Sequence, residues 1–300
     1  MEQEFYHEPV LLKESMGLLL HNKETSGSKV YVDGTLGGGG YSGEILKLTA
    51  DDNYLISIDR DVFSIEYCKN YLKDYTGRVI FCRENFSDIK EILNRSLKKV
   101  GRKMISGIVL DLGLSSFQLN NEEGFSYRSD TPLDMRVDKR QEVTAADVIN
   151  SYSEKELFKI LKDYGELRYS RKITKDIIEY RKKKPIERTS DLVEAAKQNI
   201  PERYLNKDLS KIFQAVRIEV NRELDNLSAC LNDVVDFLET GARIVVISYH
   251  SLEDRIVKNF FRSAEKLKVV TKKPFTADEA EINRNIRARS AKLRAAEKIN

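Results

Sequence analysis

Apolar residues in the first 116 positions occur in four short runs of strand type, separated by stretches with helical spacing. Each run ends in or leads directly to a polar residue: Asp33, Asp59, Asn85 or Asp111. Strands that alternate with helices favour right-handed βαβ units, so a mainly parallel sheet is predicted. Because the carboxyl ends of parallel strands meet at one edge, the sequence predicts an α/β fold with one polar, ligand-binding rim. Simple helix capping would explain each acid singly, but not their common position.

The pattern changes after Ser116, where helical spacing replaces the alternation of strands and helices. A continuous apolar register from Ile212 to Leu238 predicts one long helix, which Gly241 would end. Strand character returns only at Ala242–Tyr249. The predicted domains are a discontinuous α/β core of residues 1–115 and 212–300 and an all-helical insert of residues 116–211.

Four consecutive glycines, Gly37–Gly40, follow the first predicted strand and precede a helix. Glycine tolerates positive φ and lacks a Cβ, so a ligand can lie against the backbone of such a turn, close to the free N–H groups of the next helix. The turn lacks the Gly-Lys-Ser/Thr ending of a phosphate-binding loop, which argues against ATP or GTP hydrolysis. Asp59 lies 26 residues after Asp33, near the spacing at which an acid binds a ribose diol. A nucleotide-like cofactor is predicted; a nicotinamide-dependent dehydrogenase and a plain tight turn stay open at this point.

Composition and charge narrow the class of protein further. The chain of 300 residues has a net charge of only +3, but Lys and Arg cluster in two stretches, residues 168–188 and 283–298. Such basic runs are often faces exposed to solvent. Two of them on one chain are also compatible with binding of the phosphate backbone of RNA. No stretch is long and apolar enough for a membrane span, and no signal peptide is recognisable, so a cytoplasmic protein is predicted. The three cysteines are widely separated and suggest neither a disulfide framework nor a metal site.

Several long motifs, in order along almost the whole chain, resemble one family. Two of them are Asp33-Gly-Thr-Leu-Gly-Gly-Gly-Gly and Ser248-Tyr-His-Ser-Leu-Glu-Asp-Arg. The chain is similar there to the bacterial ribosomal small-subunit RNA (cytosine-N4) methyltransferases, the MraW/RsmH family. The segments that carry the resemblance are 7–12, 33–40, 58–61, 111–116, 132–138, 213–221, 248–255 and 287–294.

The resemblance implies a class I, Rossmann-like methyltransferase core with an inserted helical domain that recognises the substrate. It implies S-adenosylmethionine as cofactor and 16S ribosomal RNA in the small ribosomal subunit as partner. Tyr41 stands where family members often have His, so contact there is expected through the backbone. The implied cofactor contacts are Gly39, Gly40, Tyr41, Asp59, Phe86, Asp111 and Gln118.

The implied substrate atom, the exocyclic N4 of a cytosine, is a weak nucleophile that must lose a proton. Asp111 is the first candidate to accept a hydrogen bond from this amine, although it could serve the cofactor alone. His250 could take the proton, or it could be a structural histidine at a strand end. Phe125 and Tyr127 could hold an unstacked base or pack within their own loop. A non-catalytic RNA-binding assembly factor with the same fold also stays open.

Overall fold

A seven-stranded sheet forms the centre of the larger of two compact units in the computed structural model, which describes residues 9–22, 27–113 and 123–299. The strand order is β3-β2-β1-β4-β5-β7-β6, and β1 to β5 pair in parallel. Only β7 runs antiparallel, between β5 and β6. The strands are β1 Val30–Asp33, β2 Tyr54–Ile58, β3 Val79–Cys82, β4 Ile105–Asp111, β5 Leu238–Ser248, β6 Leu267–Val269 and β7 Lys292–Lys298. The predicted α/β class with a mainly parallel, Rossmann-like sheet is confirmed.

Alternating apolar side chains bury both faces of this sheet. Val32 and Ile108 pack into one cluster with Leu93, while Tyr31 and Val109 pack into another on the opposite face. Both faces are therefore covered, as expected for parallel strands. The helices of this unit are α1 Leu12–Leu19, α2 Gly40–Leu48, α3 Val62–Tyr71, α4 Ile89–Lys99, α10 Glu223–Val234, α11 Ser251–Ser263 and α12 Glu279–Arg284. None of the helices that the structure describes combines the length and the apolar composition that a membrane crossing requires.

The second compact unit is helical and comprises residues 116–223. Its end differs from the predicted boundary at residue 211, because Leu205–Asn221 is one unbroken helix packed on its neighbours in this unit. The side chain of Asn221 is fully buried; it donates to the carbonyl of Met135 and accepts from the N–H of Val137. The helices are α5 Ala145–Ser151, α6 Glu154–Asp163, α7 Ser170–Arg181, α8 Thr189–Lys197 and α9 Leu205–Asn221.

The single long helix predicted from Ile212 to Leu238 is wrong. Arg222 adopts a left-handed conformation (φ 49°) and separates α9 from α10. Gly241 (φ 85°) does not end a helix but lies inside β5, where the pairing with β4 changes register. Each of the two helices buries one apolar face, so the apolar periodicity of the sequence continues across the break. A single left-handed residue between them does not change this periodicity and therefore could not be predicted from it.

Candidate functional site

The polar residues at the strand ends converge at the carboxyl rim of the sheet. Strand β1 lies between β2 and β4, and β4 pairs with β5 on its other side. The residues at or just after these ends, Asp33, Asp59, Asp111 and Tyr249, therefore share one edge. The glycine turn between β1 and α2 lies at the same edge.

The conformation of the turn requires glycine at defined positions. Gly37 (φ 48°) and Gly39 (φ 78°) are left-handed, and Gly39 is the N-cap of α2. A Cβ on Gly39 would lie 2.9 Å from Sγ of Cys68, and one on Gly40 would collide with the ring of Pro9. The N–H of Gly39 donates to the carbonyl of Leu36 at 2.7 Å. Since the first turn of a helix has N–H groups without intrahelical acceptors, the N–H of Gly40 is the candidate donor to a ligand at the rim.

Asp59 connects the turn to the end of β2. Its Oδ2 accepts the N–H of Gly37 at 2.8 Å, and its Oδ1 accepts the N–H of Asp61 at 2.9 Å. Burial raises the pKa of Asp59 to about 6, although both backbone donors lower it. Each carboxylate oxygen has two lone pairs, so Asp59 retains acceptor capacity for a diol.

Asp33, by contrast, stabilises the elements that form the rim. It is fully buried; its Oδ2 accepts from the Ser42 hydroxyl at 2.7 Å, and its Oδ1 accepts from the N–H of Thr35 at 3.2 Å. The Ser42 hydroxyl also lies 2.9 Å from that of Ser57 on β2. Burial raises the pKa of Asp33 to about 6. The acid therefore fixes α2 to β1 and β2 rather than facing a ligand.

Asp111 is held from two directions. Its Oδ1 accepts the Tyr249 hydroxyl at 2.7 Å, and its N–H donates to the Thr35 hydroxyl at 2.7 Å. The guanidinium of Arg287 lies 5.6 Å from the ring centre of Tyr249. Burial raises the pKa of Asp111 to about 7, while the Tyr249 hydrogen bond and the Arg287 charge lower it. Oδ2 receives no hydrogen bond from the described residues, so this oxygen can accept one from a ligand amine.

His250 is the N-cap of α11. Its Nδ1 accepts the N–H of Glu253 at 3.4 Å, and the Glu253 carboxylate accepts the N–H of Tyr249 at 2.9 Å. Nε2 of His250 lies 3.2 Å from the same carboxylate. These contacts favour the structural alternative for His250, because its Nδ1 acceptor already serves the helix end.

The other predicted cofactor contacts differ in what the structure offers. Phe86 begins the 3₁₀ turn Phe86–Asp88 after β3 and is half-buried, so part of its ring faces outward. The side chain of Tyr41 is buried and its hydroxyl donates to the carbonyl of Val10, so a cofactor contact there through the backbone stays a prediction. Gln118 and the Ser115–Ser116 segment lie outside the described residues.

Predicted RNA contacts in the helical unit serve packing in that unit. Phe125 is buried, and the ring of Tyr127 packs edge-on against that of Phe213 with centroids 5.9 Å apart. In the larger unit, Arg294 belonged to a predicted RNA-binding run. Its side chain is only 7% exposed and donates from Nε to Asp254 at 2.6 Å, so it is not part of a solvated face.

Sequence reasoning missed the supporting contacts of the site. Thr35, Ser42 and the pairing of Tyr249 with Asp111 were not predicted, and Arg287 had been assigned to RNA rather than to the strand ends. Tyr249 and Asp111 are 138 residues apart in sequence. Only the position of Tyr249 at the end of a strand-like run could have indicated its place at the rim.

A Rossmann-like sheet with an additional antiparallel strand, a glycine turn and acids at adjacent strand ends defines a cofactor-binding domain of the kind found in class I methyltransferases. Residues 4–299 match the model of the MraW methylase family, and the chain belongs to this family of methyltransferases.

Curated relatives are similar over the full length. "Ribosomal RNA small subunit methyltransferase H" of Clostridioides difficile is 44% identical, covering 99% of this chain and 100% of the relative. The protein of the same name from Fusobacterium nucleatum is 42% identical, covering 98% and 97%. Among solved structures, the match to a putative rRNA-methylase from Clostridium thermocellum covers 98% of both chains, with 12% identity and a TM-score of 0.47.

Proposed function

We propose that this protein transfers a methyl group from S-adenosylmethionine to the exocyclic N4 of a cytosine in 16S ribosomal RNA. The observation that carries the proposal is the full-length similarity to relatives named for methylation of small-subunit ribosomal RNA, at 44% identity. The convergence of the glycine turn, Asp59 and Asp111 at one rim supports it independently. We place the activity in the cytoplasm, where ribosomal subunits are assembled.

The rim residues fit S-adenosylmethionine in shape and chemistry. The backbone of Gly39 and the N–H of Gly40 would hold the methionine part, because the N–H of Gly39 already donates to the carbonyl of Leu36 at 2.7 Å. The Asp59 carboxylate would accept the ribose hydroxyls, and Phe86 would pack on adenine. This assignment is supported by the left-handed glycines, which let a ligand approach the backbone, and by the acceptor capacity left on Asp59. When bound, S-adenosylmethionine supplies an electrophilic methyl group.

Asp111 would handle the hydrogen of the target amine. Methylation of a primary aromatic amine gives the secondary amine and releases one proton. The N4 lone pair is delocalised into the ring, and an acceptor of a hydrogen bond from N4 raises the electron density on that nitrogen and receives the proton. Oδ2 of Asp111, to which none of the described residues donates, would accept a hydrogen bond from N4, and a pKa of about 7 lets the carboxylate take the proton near neutral pH. Tyr249 would hold Asp111 in position from the other oxygen.

Membership of a methylase family leaves the dehydrogenase and the non-catalytic assembly factor without a supporting observation. We also propose that the helical unit, residues 116–223, recognises the substrate. Its internal packing is consistent with a rigid recognition surface.

The test is a methyl-transfer assay on the natural substrate. Small subunits from cells that lack the protein are incubated with the purified enzyme and tritiated S-adenosylmethionine, and the nucleosides are then separated by mass spectrometry. We expect label in N4-methylcytidine, whereas no transfer, or label in another nucleoside, would contradict the proposal. Parallel equilibrium titrations should show binding of S-adenosylmethionine and none of NAD.

A further inference from the structure

A basic cleft lies on the β6 edge of the larger unit, apart from the strand-end site. We define the basic cleft as the cavity of about 300 Å³ between α11, β6 and β7, lined by Lys258, Arg262, Lys272 and Arg294 with Phe261 and Val269 as apolar lining. Lys258 and Arg262 are four residues apart on α11, so their side chains lie on the same face of that helix. Lys272 follows β6.

Three of the four positive charges of the basic cleft are not neutralised by nearby acids. Among the described residues that line the cleft, none is acidic. Lys258, Arg262 and Lys272 form no ion pair of 4.0 Å or less with any described residue, in contrast to Lys266, which pairs with Asp236 at 2.6 Å. Three cations around a concave, partly apolar surface produce a positive potential that attracts a polyanion.

Arg294 has a different role, because it builds the back of the cleft. Its Nε donates to Oδ1 of Asp254 at 2.6 Å and its Nη2 to Oδ2 at 3.3 Å. Burial raises the pKa of Asp254, and the hydrogen bond and charge of Arg294 act in the opposite direction. The net pKa of Asp254 is below its ordinary value, so the pair is ionised at neutral pH. This bidentate pair fixes α11 against β7 and thereby keeps Lys258 and Arg262 facing the cavity.

We propose that the basic cleft binds the phosphodiester backbone of the RNA substrate, which would deepen the function proposed above and rests on it. Long, mobile cations on separate elements suit successive phosphates of a strand better than one small anion. Cations on an edge strand discourage sheet-to-sheet association, but this explanation does not apply here, because Lys258 and Arg262 are on a helix and Lys272 follows the edge strand β6. Contacts of this kind position the RNA without reading its sequence.

The test compares two full-length variants of equal charge. The cleft variant carries Lys258→Gln, Arg262→Gln and Lys272→Gln; Arg294 is kept because it supports the fold. The control variant carries Lys98→Gln, Lys99→Gln and Lys103→Gln. These lysines are exposed; Lys98 and Lys99 end α4, and Lys103 precedes β4. Binding of labelled 16S ribosomal RNA is measured between 50 and 400 mM salt, a span of about one decade that resolves the slope of affinity against salt.

We expect the cleft variant to bind RNA about 10-fold or more weakly in 0.1 M salt, with a slope lower by about 2 to 3, because each phosphate contact contributes roughly 0.7–0.9 to it. Its single-turnover rate at saturating RNA and its affinity for S-adenosylmethionine should match the unmodified protein, so that KM rises and kcat does not. The control variant should keep the slope and the KM of the unmodified protein.

The outcomes separate the two proposals. If the unmodified protein methylates RNA but the cleft variant keeps its affinity and slope, or loses no more than the control, the cleft proposal is wrong and the proposed function stands. If the unmodified protein does not methylate RNA, the proposed function is wrong, whatever the cleft variant does. A stabilisation by inorganic phosphate at matched ionic strength that only the cleft variant loses, with RNA binding unaffected, would assign the cleft to a small anion and overturn the RNA proposal.

Discussion

Replacing Tyr249 by Phe removes one hydroxyl and leaves the ring that packs beside Gly113 and below Arg287. The hydroxyl donates to Asp111 at 2.7 Å and lowers the pKa of that carboxyl, which is about 7 in the intact site. A hydrogen bond to a charged acceptor contributes about 1.5–3 kcal/mol, and one pKa unit corresponds to about 1.4 kcal/mol. Its loss should therefore raise the pKa of Asp111 by about one to two.

The consequence for catalysis follows from the proposed need for an ionised Asp111. Half of the carboxyls are ionised at pH 7 when the pKa is about 7, and roughly one in eleven when it is one unit higher. The single-turnover methylation rate of Tyr249→Phe at pH 7 should fall about five- to fifty-fold, and it should recover towards that of the unmodified protein above pH 9. Saturating RNA and S-adenosylmethionine remove binding defects from the rate.

Tyr31→Phe is the matched control. The Tyr31 side chain is fully buried in β1, and its hydroxyl has no hydrogen-bond partner in the described residues. We expect the pH midpoint of Tyr31→Phe to equal that of the unmodified enzyme. If the midpoint of Tyr249→Phe stays in place or moves to lower pH, Asp111 is not the group whose ionisation controls the rate.

Three further predictions concern the same rim. Asp59→Ala should weaken binding of S-adenosylmethionine more than about 100-fold in calorimetric titrations, since two hydrogen bonds of about 1.5–3 kcal/mol each would be lost; unchanged affinity in a folded variant would remove Asp59 from the site. Gly39→Ala should lower both Tm and cofactor affinity, because φ of Gly39 is 78° and the new Cβ would lie 2.9 Å from Cys68. The control Gly17→Ala in α1, whose new Cβ would have nothing within 4 Å, should be neutral or stabilising by up to about 1 kcal/mol, and equal losses in both variants would refute the steric reasoning. Asp111→Asn should be more stable to urea than the unmodified protein, by a clearly larger margin at pH 8 than at pH 5. The native pKa of about 7 lies above the unfolded value of 3.8, so the unmodified protein loses stability progressively as pH rises from 3.8 to 7, and an equal margin at both pH values would contradict this.

The sequence predicted the strand-end residues well because local signals determine them. An apolar run that ends in an acid, or that leads into four glycines, carries its meaning within a few residues, which is why Gly37–Gly40 and Asp59 could be placed at the rim. The contacts that position these strand-end residues and shift their pKa values depend instead on residues far apart in the sequence. Tyr249 reaches Asp111 from 138 residues away, and nothing near either residue encodes the pairing.

Charge was the least reliable local signal. The run that contains Arg294 looked like a solvated basic face, but strand alternation within β7 turns Arg294 inward to Asp254 and leaves it 7% exposed. The cations that remain unpaired, such as Lys258 and Arg262, were spread along a helix and did not stand out as a run. Likewise, one left-handed residue, Arg222, divided a helix whose apolar register continued unchanged.

The position of β7 affects how the sheet can be completed during synthesis. This strand, residues Lys292–Lys298, is last in chain order, yet it lies between β5 and β6. Until it is made, β6 has no neighbour and the apolar strand β5, which ends at Ser248, keeps an open edge. Unpaired strand edges are templates for aggregation, so the nascent chain must keep β5 and β6 apart from other chains while more than forty further residues are added. Completion of the sheet therefore waits for residues Lys292–Lys298, which are made more than forty residues after β5.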